Sequence, residues 1–141
     1  TLKKVSGILG ALAGGLNSTF GTDAPGFFFI DLIIGVLSSV IDNVPLVAAS
    51  MGMYPLDGDA IFGVNHPFWE FLAYCAGTGG SLLIIGSAAG VAVMGMEKID
   101  FIWYLKKISL LALAGYIAGA LVFIAMDMTL FENIAWLRDL A

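Results

Sequence analysis

Two long stretches of this sequence carry no charged residue, and they limit the folds that the chain can adopt. No Asp, Glu, Lys or Arg occurs over positions 71–96 or over positions 108–126. As a straight helix, the second stretch would be about 28 Å long, close to the roughly 30 Å hydrocarbon core of a bilayer. Apolar residues make up 60% of the chain and charged residues only 12%, against about 45–50% and 25% in soluble domains. The sequence therefore predicts an all-α integral membrane protein.

The same composition argues against several classes of function. The net charge of −5 provides no basic surface for nucleic acid. A single His and a single Cys argue against a His/Cys zinc site and exclude an internal disulfide. No phosphate-binding loop, dinucleotide fingerprint or Ser/His/Asp order is present, so we predict no enzyme and no cofactor. Because the sequence opens at Thr1 without an initiator Met or a signal peptide, we interpret it as part of a longer protein.

Residues 27–54 contain a polar interruption inside an apolar segment. One straight helix over this range would be about 42 Å long, which exceeds the bilayer core. Asp42 and Asn43 lie near its centre, and Pro45 lacks a backbone donor and disfavours helical geometry at Val44. The interruption leaves two arms, residues 27–41 and 44–54. Because neither arm is long enough to cross, we predict a re-entrant hairpin whose tip lies inside protein or beside a water-filled cavity.

A second interruption falls in the segment 68–96. Gly77, Gly79 and Gly80 lie within five residues, and glycine disfavours helix. We therefore predict a broken transmembrane helix made of two half-helices. The predicted organisation is a single membrane region, with a short helix and turn over 1–26, the hairpin over 27–54, a loop over 55–67, the broken helix over 68–96, a loop over 97–107 that leads into a transmembrane helix assigned to 103–126, and an interfacial tail over 127–141.

The distribution of lysine predicts the orientation of these segments. Lys98, Lys106 and Lys107 lie together before the last uncharged stretch, and such a loop is expected on the cytoplasmic side. The loop 55–67 contains acidic residues but no Lys or Arg, so we expect it outside. The hairpin is then expected to enter the membrane from the outside and to return there.

Asp42 is the strongest candidate for ion chemistry. A carboxylate inside an apolar segment is costly unless it is paired or solvated, so it marks a site or a pathway. It can bind Na⁺ or Li⁺ as a hard oxygen ligand, or it can bind a proton, and a group that binds only one of them at a time couples the two. The alternative is that Asp42 caps the second arm. Asn43 offers a carbonyl oxygen to the same ion, or its amide satisfies backbone groups at the break.

Hydroxyl groups flank both interruptions. Thr78 and Ser81, together with backbone carbonyls freed between them, can complete an oxygen shell for a small alkali cation. Alternatively, they only satisfy the backbone of the broken helix. The secondary candidates are Ser39, Gly79, Gly80 and Ser87. For the two serines among these, the alternatives are hydrogen bonding back to their own helix and small-residue packing.

Three other ionisable residues receive structural interpretations. Asp31 lies only four residues into the first arm, so we expect an interfacial position for it. Glu70 opens a helix, where its charge suits the positive end of the dipole. His66 is a single loop histidine to which no role is assigned.

Two motifs resemble the NhaD-type sodium/proton antiporter family. They are SVIDNVPLVAASMGMY at 39–54 and FWEFLAYCAGTGGSLLIIGSAAG at 68–90, and the resemblance extends over about residues 6–125. It implies two inverted repeats, each with a re-entrant hairpin and a broken helix, and a cation held between them. On this chain, the acidic pair of the family falls on Asp42 and Asn43, and its hydroxyls fall on Thr78 and Ser81. Only one hairpin is present, so the resemblance implies the C-terminal portion of an antiporter.

The predicted function is export of Na⁺ or Li⁺ in exchange for protons, as part of a full antiporter that serves pH homeostasis. The alternatives are another carrier of the same superfamily, moving arsenite or a carboxylate anion, a channel, or a non-transporting fragment of a membrane complex. The expected partners are the lipid bilayer, the remaining N-terminal part of the antiporter and a second copy in a homodimer, with no nucleic acid. The bacterial inner membrane is the expected location, and an organelle membrane is the alternative.

Overall fold

A computed structural model describes residues 2–23, 26–54, 62–64 and 66–131, and these residues form helices and turns without any strand. The α-helices are α1 Leu2–Phe20, α2 Gly26–Leu37, α3 Asn43–Met53, α4 Pro67–Gly79, α5 Ala88–Met96, α6 Phe101–Lys107 and α7 Ser109–Met126. A short 3-10 helix, Ile84–Gly86, lies between α4 and α5. A π-helical turn, Asp127–Phe131, continues α7. The all-α prediction is confirmed for this part of the chain.

Helices α2 and α3 are the two arms on either side of the turn 38–42, the tip, and both pack against α1 and α4 more extensively than against each other. At 1.5 Å per residue they are about 18 and 16 Å long, well below the roughly 30 Å of a bilayer core. Their outer ends meet at one aromatic side chain. Phe27 and Tyr54 both contact the ring of Phe62, with centroid distances of 6.2 and 5.1 Å. Because the outer ends are close together, the chain reverses direction at the tip.

The break between these helices lies earlier than Pro45 predicts. Val44 is helical, so the expected departure of this residue from helical geometry is wrong. Pro45 is the third residue of α3, where the N–H that proline lacks would have no partner within the helix. Proline therefore marks the start of the second arm, and the turn itself is completed before it.

Aromatic side chains fix the end of the hairpin opposite the tip. Phe62 and Phe68 stack with their centroids 4.1 Å apart and an interplanar angle of 5°. Tyr54 packs edge-on against Phe68 at 5.1 Å, and all three side chains are buried. Such ring pairs contribute about 0.5–1.5 kcal/mol each beyond the area they bury. The hairpin is thus anchored at its base, where α4 begins.

Helix α2 packs most extensively against α4, and the two run in the same direction. Near the hairpin base, Phe28 contacts Phe71 with a centroid distance of 5.2 Å. Near the tip, Gly35 meets Gly79 so closely that a Cβ on Gly79 would overlap the Gly35 carbonyl. The absence of side chains at both positions allows the two backbones to touch. This contact sets the end of α4 beside the tip of the hairpin.

The interruption of the second segment begins later than its glycine content predicts. Gly77 and Thr78 are helical, and α4 ends at Gly79. The segment 80–87 then follows an irregular path that includes the 3-10 helix. Ser87 begins α5, because its hydroxyl oxygen accepts a hydrogen bond at 3.0 Å from the backbone N–H three residues later.

The predicted loop over 97–107 is wrong for its second half, which forms α6. Asp100 caps this helix, since its carboxylate accepts a hydrogen bond at 3.2 Å from the N–H of Trp103. Lys106 and Lys107 occupy the last turn, where positive charge suits the helix dipole. Asp100, Lys106 and Lys107 are therefore helix-terminal residues, whereas Glu97 and Lys98 lie in the turn between α5 and α6.

Helix α7 exposes many large apolar side chains. With its continuation, Ser109–Thr129, it is the one helix in the described part of the chain whose length and mean hydropathy of 2.2 suit a membrane crossing, and only 11% of its apolar window is buried. Leu111 and Leu121 are among its exposed side chains. Such a surface suits lipid or neighbouring helices. Most of the predicted loop over 55–67 and of the predicted tail over 127–141 lies outside the described residues.

Candidate functional site

Asp42 lies at the tip of the hairpin, immediately before α3. It occupies the capping position of that helix, but its side chain makes no capping hydrogen bond. The carboxylate is exposed in this chain, and the apolar side chains beside it are exposed as well, Val40 by 63% and Val44 by 72%. The capping alternative therefore has no hydrogen bond to support it, and the carboxylate oxygens are accessible to an ion.

Asn43 is turned towards α4. It is half-buried and lines a cleft of about 310 Å³ between the second arm of the hairpin and α4. The cleft is lined by Asn43, Val44, Val47, Ala73, Ala76 and Gly77. The predicted site residue Asn43 is thus next to the last turns of α4, where the second predicted interruption begins.

Two buried serines join the tip to the end of α4. The Ser38 hydroxyl donates a hydrogen bond at 2.7 Å to the carbonyl of Ala76, and Ser38 has no exposed surface. Ser39 is also buried, and a Cβ on Gly86 would approach the Ser39 carbonyl to 2.6 Å. The turn after α2 is therefore wedged between α4 and the 3-10 helix. The backbone N–H of Ser39 donates at 3.0 Å to the carbonyl of Val36 in α2, but its hydroxyl does not hydrogen-bond back to that helix.

Thr78 and Ser81 direct their hydroxyl protons at their own helix. Thr78 donates to the carbonyl of Tyr74 at 2.6 Å, and Ser81 donates to the carbonyl of Thr78 at 2.6 Å. The Tyr104 hydroxyl, from α6, donates at 2.8 Å to the carbonyl of Ser81. A hydroxyl that donates its proton keeps its oxygen lone pairs. Both alternatives are therefore compatible, since these groups satisfy the backbone and still present oxygen to a cation.

The remaining secondary candidates, Gly79, Gly80 and Ser87, have structural roles in this part of the chain. Gly79 touches Gly35, as described above. A Cβ on Gly80 would lie 3.2 Å from the carbonyl of Gly86 and 3.7 Å from that of Ser38. Ser87 caps α5, a role different from the small-residue packing expected for it. The contacts between the two interruptions thus run through Ser38, Ser39 and the glycines, while the Asp42 side chain lies at the exposed edge of this contact.

The structure contradicts the interfacial position expected for Asp31. This residue is on α2 and has 0% exposed surface. Neither carboxylate oxygen has a hydrogen-bond partner among the described residues. The helical spacing could have indicated its burial, because Asp31 lies four residues before Gly35 and seven before Ser38, on the face that meets α4. Within the described residues, no group of three or more His, Cys, Asp or Glu side chains could hold a metal ion.

Comparison with known proteins identifies relatives along most of the chain. The sequence is 50% identical over 129 residues, 92% of the chain, to Sodium/proton antiporter 1 of Arabidopsis thaliana. It is 39% identical over 104 residues, 72% of the chain, to the Na(+)/H(+) antiporter NhaD of Alkalimonas amylolytica, and 36% identical over 103 residues, 72% of the chain, to that of Halomonas elongata. The chain spans about a fifth of each relative, namely 21%, 20% and 19%. No protein-family model and no solved structure matches the chain.

Proposed function

This chain belongs to the NhaD-type sodium/proton antiporters, and we propose that it supplies one ion-binding hairpin of a complete antiporter that exports Na⁺ or Li⁺ in exchange for protons. The names of its relatives support the exchange reaction. The observation that carries the proposal is the Asp42 carboxylate, which stands at the tip between two short helices and makes no capping hydrogen bond.

The proposed site combines one charged and several neutral oxygens. Asp42 holds either a proton or a cation, and since the same carboxylate cannot hold both, uptake of one requires release of the other. Asn43, Thr78 and Ser81 supply the neutral oxygens. The cleft beside Asn43 and the hydroxyl lone pairs at the end of α4 support this set. Hard alkali cations are suited by oxygen ligands of this kind.

We propose that α2 and α3 form a re-entrant hairpin in the membrane and that α4 and α5 are the two halves of a broken transmembrane helix. Their lengths support this arrangement, because none of the four spans the bilayer core by itself. The relatives come from a plant and from bacteria, so an organelle membrane and the bacterial inner membrane both suit the chain.

The rest of the antiporter is the proposed partner of the tip. Val40, Ile41 and Val44 surround Asp42 with exposed apolar surface, which is unfavourable in water. The chain spans about a fifth of its relatives, and a second repeat from the remaining part would cover this surface and complete the oxygen shell.

The test is Asp42→Asn in the complete antiporter, reconstituted in vesicles. We expect Na⁺-dependent proton movement to fall to background, because the amide cannot exchange a proton for a cation. Asp100→Asn is the control, since Asp100 is an exposed helix cap and Asn caps equally well. Undiminished exchange by the Asp42 variant would contradict the proposed function.

A further inference from the structure

Asp31 is a buried carboxyl group that the proposed cation site does not use. It lies in the interface of α2 with α4, and no part of it is exposed. Both of its oxygens lack a hydrogen-bond partner within the described residues. A buried polar group without partners is uncommon in folded proteins and calls for a physical explanation.

None of the titratable groups around Asp31 in the described part of the chain donates a hydrogen bond to it. Tyr54, which follows α3, Cys75 of α4 and Tyr116 of α7 each interact electrostatically with it. The Tyr54 hydroxyl donates to the side-chain oxygen of Asn17 at 3.0 Å, however, and that of Tyr116 donates to the carbonyl of Leu32 at 2.9 Å.

The Cys75 thiol is buried and makes no hydrogen bond to Asp31 either, since neither carboxylate oxygen has a partner among the described residues. The described side chains of α1, at positions 11–20, include no titratable group. Within the described part of the chain, Asp31 therefore has neighbours that can ionise, but no cation is paired with it and no donor hydrogen-bonds to it.

These surroundings favour a proton over every other ligand. An ionised carboxylate in an apolar interior is very costly without a partner, whereas the protonated acid is neutral. A hard metal cation would need a shell of several oxygens, but the α2–α4 interface is packed with apolar and aromatic side chains such as Phe28, Phe71 and Leu72. A proton needs no second ligand.

We propose that Asp31 is a second proton-binding site of this chain, holding a proton at neutral pH inside the α2–α4 interface and separate from the cation site at the tip. Asp31 is five residues from the start of α2 and seven from Ser38, which corresponds to about 7 Å and 10 Å along the helix. The site is thus midway between the base of the hairpin and its tip. Its place in a transport cycle rests on the proposed antiport function, but the presence of the proton does not.

The direct test is infrared spectroscopy of the purified complete antiporter at neutral pH. Protonated carboxyl groups give a carbonyl stretching band that ionised carboxylates and amides lack. We expect Asp31→Asn to remove one such band, while Asp42→Asn and the control Asp100→Asn leave that band in place. Asp31→Glu, which keeps the acid, should shift the band and not remove it. A spectrum of Asp31→Asn that retains every band would overturn the proposal.

A second measurement uses the dependence of stability on pH. If only the folded state holds this proton above about pH 5, the ratio of folded to unfolded molecules falls about tenfold for each pH unit in the unmodified protein relative to Asp31→Asn. Unfolding midpoints in detergent should therefore favour the Asn variant increasingly between pH 5 and pH 8. A difference that stays constant with pH would show that Asp31 does not bind a proton. Because neither test measures transport, failure of exchange in Asp42→Asn and failure of this proposal remain distinguishable.

Discussion

Two aspartates on the hairpin, Asp31 and Asp42, occupy opposite environments. Asp31 is enclosed between α2 and α4, whereas Asp42 is exposed at the tip. Their neighbours in the sequence are similar, since each is flanked by Ile, Leu or Val at several positions. A local window shows that a carboxylate lies in an apolar run, but not which helix packs over it. The sequence therefore identified Asp42 as a candidate for ion binding, but it placed Asp31 wrongly at the membrane–water interface.

The glycine contact between α2 and α4 leads to a prediction for single residues. Gly79→Ala places a Cβ on the backbone of Gly35, which cannot give way as a flexible side chain can. We expect destabilisation by about 1–3 kcal/mol, as for overpacked interiors, measured as a lower thermal unfolding midpoint of the complete antiporter in detergent.

Gly77→Ala is the matched control for this substitution. It is in the same helix, and a Cβ there meets nothing within 4 Å, so its midpoint should stay the same or rise slightly. Equal midpoints for the two variants would mean that the backbones do not touch at Gly79.

At the scale of elements, the sequence predicted which segments are helical better than where they end. The hairpin was expected to break at residues 42–43 and breaks over 38–42. The second break was expected around Gly77, but α4 continues to Gly79. The reason is that glycine has two uses. Glycine can unwind a helix because its backbone is flexible, or it can stay helical and let a neighbouring helix approach closely. Which of these applies depends on the helix that packs opposite, and the sequence alone does not identify that helix.

Helix α6 provides a prediction at the same scale. Its Tyr104 hydroxyl donates to the carbonyl of Ser81 and so ties α6 to the start of the interruption. Tyr104→Phe removes a hydrogen bond of about 0.5–1.5 kcal/mol. We expect the apparent KM for Na⁺ to rise about two- to tenfold with little change in maximal rate, because the Ser81 region is held less firmly.

The control for this variant is Trp103→Phe, a neighbouring and half-exposed side chain on α6. It preserves the Tyr104 hydrogen bond, so vesicle transport should follow the unmodified Na⁺ dependence. If both variants gave the same Na⁺ dependence, a positioning role for Tyr104 would be excluded.

At the scale of the whole molecule, many large apolar side chains of the described residues are exposed, which is unfavourable in water. The exposed side chains of α7 and of the hairpin tip account for many of them. Composition and the uncharged stretches were enough to predict a helical membrane protein. They did not indicate that the tip would be exposed, because exposure depends on which groups pack over it. Asp42, expected in an enclosed site, is exposed in this chain, and the proposed cover is the rest of the antiporter.

Cysteine labelling tests this covering in the complete antiporter. Val44 at the tip and Val64 in the loop before α4 are exposed to nearly the same extent in this chain, 72% and 70%. In a cysteine-free background, we expect a water-soluble maleimide to label Val64→Cys quickly and Val44→Cys only after denaturation. Equal labelling of the two positions would mean that nothing covers the tip.

Direct contact between the backbones of Gly35 and Gly79 also restricts how the chain can move. Packed helices slide past each other when the side chains between them can change rotamer, but no side chain separates these two at their crossing. The hairpin and α4 should therefore travel as one rigid body. Helix α7 is fixed to the same unit, because the Tyr74 hydroxyl donates at 3.0 Å to the carbonyl of Tyr116 and the Tyr116 hydroxyl donates at 2.9 Å to that of Leu32. A shear within the protein should therefore have its sliding surface outside the contacts among α2, α4 and α7.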